Sequence, residues 1–148
     1  MVPTKVVTFL GHVIDSEKML VYLPNEKKEY IHAECIRLTQ LEQTSIRDVA
    51  KIIGLVVSSF SAVEHGKLHY RYLERAKITA LKSHKGDFDA IMPITPCTNV
   101  DLQWWVYNIM TESRKFDKGN PKHVIQTDSN TQGWGCSFND QTGGGRWS

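Results

Sequence analysis

Residues 111–121 are polar and close on Gly119-Asn120-Pro121, a run that disfavours both helix and strand. This break constrains the chain most, because the apolar pattern differs on its two sides. Ahead of it, apolar residues recur at three- and four-residue spacing, as on amphipathic helices. Behind it they fall in short runs separated by turn formers, as in strands. The expected organisation is a first region over residues 1–110, a linker over 111–121 and a second region over 122–148.

The first region opens with a β-rich run over residues 6–14. A turn at Asp15-Ser16-Glu17-Lys18 and a return strand over residues 19–23 complete a hairpin. Pro24-Asn25 starts a helix with Ile31, Cys35, Leu38 and Leu41 on one face. Gln43-Thr44 breaks it, and Thr44 or Ser45 caps the next helix, with Asp48 three residues after Ser45. That second helix turns Ile46, Val49, Ile53, Val57 and Phe60 inward. Gly54 and Ser58-Ser59 let another element approach it closely. Glu64-His65-Gly66 connects to a third helix over residues 68–81, with Leu68, Tyr72, Ala76 and Ala80 on one side. Gly86-Asp87 ends this stretch. Thr95 and Pro96 open a fourth helix that carries Leu102, Trp105 and Ile109. Beyond the break, strands are expected near residues 123–127 and 134–138. A turn at residues 139–143 leads into a third strand. The expected fold class is α+β: a β-hairpin, an all-helical body, then the incomplete sheet of an α/β domain.

With 41% hydrophobic and 23% charged residues the chain is globular, and a net charge of +2 predicts no strong polyanion binding overall. The distribution of charge is more telling. Residues 67–85 hold Lys67, Arg71, Arg75, Lys77, Lys82 and Lys85 against Glu74 alone among nearby acids. Lys67, Arg71 and Arg75 recur every four residues and would share a helix face able to neutralise phosphates; a merely solvated basic face is the alternative. Cys35, Cys97 and Cys136 are odd in number and far apart, which argues against a disulfide framework and for reduced thiols inside a cell, in cytoplasm or nucleus. No apolar run is long enough to span a membrane, and the first five residues lack a signal-peptide core. His65 and His69 have zinc-like spacing, but Gly66 interrupts the helix and a third ligand is not evident. Of Trp104-Trp105, one is expected in the core and its neighbour half-exposed.

In Val124-Ile125-Gln126-Thr127-Asp128 a lone aspartate ends a short apolar run, and Gly133-Trp134-Gly135 reads as the returning strand. A carboxylate at a strand end can reach a metal ion; an ordinary turn former is the bland alternative. Asp140 is close in sequence, but its place in a hairpin turn makes it a poor ligand.

Four segments in order carry a resemblance. Phe9-Leu10-Gly11-His12-Val13-Ile14 resembles the hairpin after the polymerase palm of reverse transcriptases. Ser45-Ile46-Arg47-Asp48-Val49-Ala50 resembles the thumb helix. Leu68-His69-Tyr70-Arg71-Tyr72-Leu73-Glu74 and Leu102-Gln103-Trp104-Trp105 resemble the following helices in tyrosine-recombinase retrotransposons of the DIRS group. Thr127-Asp128, Gly133-Trp134-Gly135 and Gly144-Gly145-Arg146-Trp147-Ser148 resemble the opening of that group's ribonuclease H domain. The resemblance implies an RNA-directed DNA polymerase with ribonuclease H activity and a template–primer or RNA–DNA hybrid as partner, beside the rest of a polyprotein. Phe9, Leu10 and Gly11 would form a primer grip, Lys67, Arg71 and Arg75 would lie along nucleic acid, and Asp128 would be a catalytic metal ligand. Hydrolysis of the RNA strand would use two Mg²⁺ ions about 4 Å apart, held by several carboxylates. The family's Tyr-x-Asp-Asp turn does not occur here, and both ends read as cuts in a longer frame. The expectation is thus a segment inactive alone. The alternative is a non-enzymatic nucleic-acid- or protein-binding module derived from a retroelement.

Overall fold

β-Branched residues at the start form β1 (Val6–Phe9) and β2 (His12–Asp15), paired antiparallel with Phe9 opposite His12. The single strand expected over residues 6–14 is therefore two. Leu10 and Gly11 take φ of 47° and 73°, the two left-handed residues that a tight type I′ hairpin turn demands. Gly11 adopts this freely, whereas Leu10 does so at a cost of about 1 kcal/mol. The next turn closes on Asp15, whose carboxylate accepts the backbone N–H groups of Glu17 and Lys18 at 3.0 and 2.9 Å. β3 (Leu20–Tyr22) follows, and a fourth strand joins from far along the chain. The residues named are those of a computed structural model that describes 4–116, 119–120, 122–139 and 141–147.

α1 (Asn25–Thr39) buries Ile31, Cys35 and Leu38, while Leu41 lies beyond its end and is exposed. β4 (Gln43–Ser45) pairs antiparallel with β5 (Ile91–Pro93), so the body between the sheets is not all-helical. Ser45 ends that strand and caps α2 (Ile46–Val57), its hydroxyl accepting the Asp48 N–H at 3.1 Å. α2 buries Ile46, Val49, Ile52, Ile53 and Val56; Val57 is exposed. A single 3₁₀ turn at Gly66–Leu68 precedes α3 (Arg71–Ser83). Of the expected face, Ala76 and Ala80 pack against the core beside the buried Leu73, whereas Tyr72 and Leu68, the latter in the 3₁₀ turn, are exposed. Thr95 caps α4 (Pro96–Asn108), which buries Thr98, Asp101, Leu102 and Trp105.

Most buried polar side chains of this unit find partners, as burial requires, whereas the buried Asn99 Oδ1 has none among the described residues. Asp101 of α4 accepts the N–H groups of Tyr72 and Leu73 at 2.8 and 3.1 Å, capping α3 from a neighbouring helix. Burial raises its pKa, opposed first by those two donors. Lys28 donates to the carbonyls of Met110 and Glu112 just past α4, and burial lowers its pKa. The Trp105 indole N–H donates to the His69 carbonyl at 2.6 Å. A Cβ on Gly66 would stand 2.8 Å from the Trp105 ring, so that turn needs glycine. β6 (Arg114–Lys115) then pairs with β3, giving the order β1-β2-β3-β6; it lies within the segment expected to be linker.

Residues 1–116 form one compact unit and residues 117–148 another. The second is an antiparallel meander of β7 (Ile125–Ser129), β8 (Gly133–Phe138) and β9 (Gln141–Arg146). Asp128 thus lies inside β7 rather than beyond its end. It pairs with Gly135, which pairs with Gly144. Phe138 pairs with Gln141, so the connection is shorter than the turn expected over residues 139–143; Asp140 lies outside the described residues.

Candidate nucleic-acid interface

The tip of the β1–β2 hairpin is apolar and open. Leu10 is 81% exposed and Phe9 60%, beside the left-handed Gly11. His12 anchors the tip. Its Nδ1 lies 2.9 Å from the Leu10 carbonyl, and its Nε2 lies 2.8 Å from the Ser61 hydroxyl and 3.1 Å from the Ser58 carbonyl. A tautomer with the proton on Nδ1 donates to Leu10 and accepts from Ser61, which ties the hairpin to the chain leaving α2. Lys27 of α1 reaches the same tip, its ammonium 3.8 Å from where a Cβ on Gly11 would stand. Burial lowers the Lys27 pKa. Neither His12 nor Lys27 carried a signal in the sequence, because their partners are distant along the chain.

The basic residues divide differently from the four-residue spacing. Lys67 lies in the 3₁₀ turn, not on α3, so it does not continue a helical row with Arg71 and Arg75. The structure groups Arg71, Arg75 and Lys82 instead, around a shallow hollow of about 360 Å³ that also touches Glu74, Ile78 and Thr79. Glu74 is spoken for by Lys77, whose ammonium lies 3.1 Å from both carboxylate oxygens. Arg71, Arg75 and Lys82 belong to no ion pair among the described residues. Arg71 holds its guanidinium 4.9 Å over the Tyr70 ring. Next to this start of α3, the His69 ring stacks on Trp104 at 4.2 Å and 5°. Burial first, and then His65, keep the His69 pKa low, while the Asp101 carboxylate opposes them. Trp105 is fully buried and Trp104 half-buried, the division expected of the pair.

Asp128 is exposed, and its Oδ1 accepts the Ser129 N–H at 2.8 Å. It borders a hollow of about 470 Å³ with Trp134 and Trp147. Among the described residues, three or more His, Cys, Asp or Glu side chains come together nowhere in a set that could hold a metal ion. A two-metal centre needs several converging carboxylates, so the described donors do not fit one. His65 and His69 likewise gain no third ligand among the described residues.

No helix among the described residues is long and apolar enough to cross a membrane. Compared with family models, curated proteins and solved structures, the chain matches none.

Proposed function

We propose that this chain is part of a DIRS-type retrotransposon reverse transcriptase–ribonuclease H, and that it binds template–primer or RNA–DNA hybrid without catalysing a reaction alone. The observation that carries the reading is the hairpin tip. A leucine at φ 47°, 81% exposed, costs stability through its backbone and again through its bare apolar surface. Strain kept at an exposed position supports a contact made there. In this reading Phe9, Leu10 and Gly11 grip the primer strand, with Lys27 beside them. Arg71, Arg75 and Lys82 take backbone phosphates, and Lys67 contributes from its separate turn. In the second unit Asp128 supplies one carboxylate toward Mg²⁺, and further carboxylates must join it before hybrid RNA is cut. The thumb- and connection-like identity of the helical body rests on the same resemblance.

Stability and binding should move in opposite directions at the tip. Leu10→Asn suits a left-handed position and should stabilise the fold by about 0.5–1 kcal/mol. It should also weaken binding to an RNA–DNA hybrid, read by fluorescence anisotropy at low salt. A variant that is more stable and binds hybrid as tightly as the parent would remove the grip from this hairpin.

A further inference from the structure

We propose that the groove between α3 and β5 receives an extended peptide rich in apolar and acidic residues, laid down as an added strand beside β5. This does not rest on the nucleic-acid reading. The groove holds about 520 Å³, a volume typical of binding sites. All three residues of β5 form one wall. The facing wall of α3 is low, because Ala76, Thr79, Ala80 and Ser83 are small. A strand needs about 4.8 Å beside its neighbour, and such a wall leaves room for one.

β5 has only β4 as a partner among the described strands. Ala90 accepts from the Ile46 N–H at 3.0 Å and Ile94 donates to the Glu42 carbonyl at 2.9 Å. Antiparallel alternation between those points turns the N–H and carbonyl of Ile91, and the carbonyl of Pro93, toward the unpaired edge. Pro93 has no N–H, so the edge offers one donor and two acceptors. Pairing is therefore short and fixed in register, and side chains must supply much of the affinity. From Tyr72 to Ser83 the helix rises about 16 Å, the length of about five extended residues.

Charge selects the occupant. Arg75 and His84 line the groove, and no Asp or Glu does. Arg71 and Lys82 add positive charge from the adjoining hollow on α3. An acidic, apolar segment complements this rim; a basic one is repelled.

The test uses the full chain and fluorescein-labelled hexapeptides that alternate valine with either glutamate or lysine. The glutamate series should bind, and the lysine series should bind at least about tenfold more weakly, the equivalent of about 1.4 kcal/mol. N-methylation along the glutamate peptide should weaken binding about tenfold at two positions, two residues apart, and little elsewhere, because the edge offers two acceptors. This scan leaves the protein unaltered. Ser83→Trp, at an exposed residue of the groove that does not border the basic hollow, should fill the groove and abolish peptide binding while hybrid binding persists. Absence of glutamate-peptide binding at about 1 mM, or equal loss at every N-methylated position, would refute the added strand. Loss of both ligands in a Ser83→Trp protein of parental melting temperature would assign the groove to nucleic acid instead.

Discussion

Single residues divide into those whose surroundings are local and those whose surroundings are not. Ser45 was legible, because a hydroxyl three residues before Asp48 caps a helix by local geometry. Asp128 was legible as an exposed carboxylate but not as a residue inside a strand, since the register with Gly135 depends on β8. Asp128→Asn keeps the shape and removes no buried partner, so stability should change by less than about 1 kcal/mol in chemical denaturation. In a chain extended by the carboxylates that the resemblance implies, the same change should abolish Mg²⁺-dependent cleavage of hybrid RNA. Full cleavage by that variant would reduce Asp128 to a strand residue. His69 was legible as one of two spaced histidines, but not as a ring stacked on Trp104. Burial there depresses its pKa, so the unfolded chain takes up this proton at higher pH than the folded one. Stability should thus be complete above the ordinary histidine range and fall as pH drops through about 6.5 toward the folded value. The urea midpoint between about pH 7 and 5.5 measures this, and His69→Phe should flatten the profile. An unchanged slope in that variant would place the titration elsewhere.

Among the elements, the four helices were visible in apolar spacing, and their faces only partly so. α3 shows why. Its sequence repeats every four residues from Lys67, yet the 3₁₀ turn fits Gly66 under Trp105 and delays the helix to Arg71. Propensity does not announce such a turn, because the Trp105 ring is tertiary. Gly66→Ala should cost about 1–3 kcal/mol, since the added methyl meets a fully buried ring. A thermal melt matching the parent would show that Trp105 yields. The paired strands β4 and β5 were hidden for a related reason: each has three residues, and their pairing spans the whole of α2 and α3. Charge on α3 is testable as a unit. If Arg71, Arg75 and Lys82 each neutralise a phosphate, the logarithm of hybrid affinity should fall with the logarithm of salt at a slope of about −2.7. Arg71→Glu with Arg75→Glu should weaken binding and flatten that slope, with little dependence on sequence. A slope that survives the reversal would mark the face as solvated only.

For the whole molecule, the change of period near residue 111 was the dependable sign, while the position of the boundary was not. Arg114 and Lys115 look like linker because two charged residues carry no strand pattern; they are a strand only because β3 offers an edge. Every fully buried apolar side chain described lies between Leu23 and Ile109. A protein ending at Phe116 should therefore keep a cooperative melt within about 4 °C of the full chain by circular dichroism. Loss of cooperativity would mean that the second unit supports the first. The pairing of Val21 with Arg114 also has a consequence for synthesis. The first three strands of the sheet leave the ribosome together, but its last strand is translated about ninety residues later. At about 5–20 residues per second, the edge of β3 waits several seconds in the open. During that interval it is a surface that chaperones can occupy and that neighbouring nascent chains on the same message can capture.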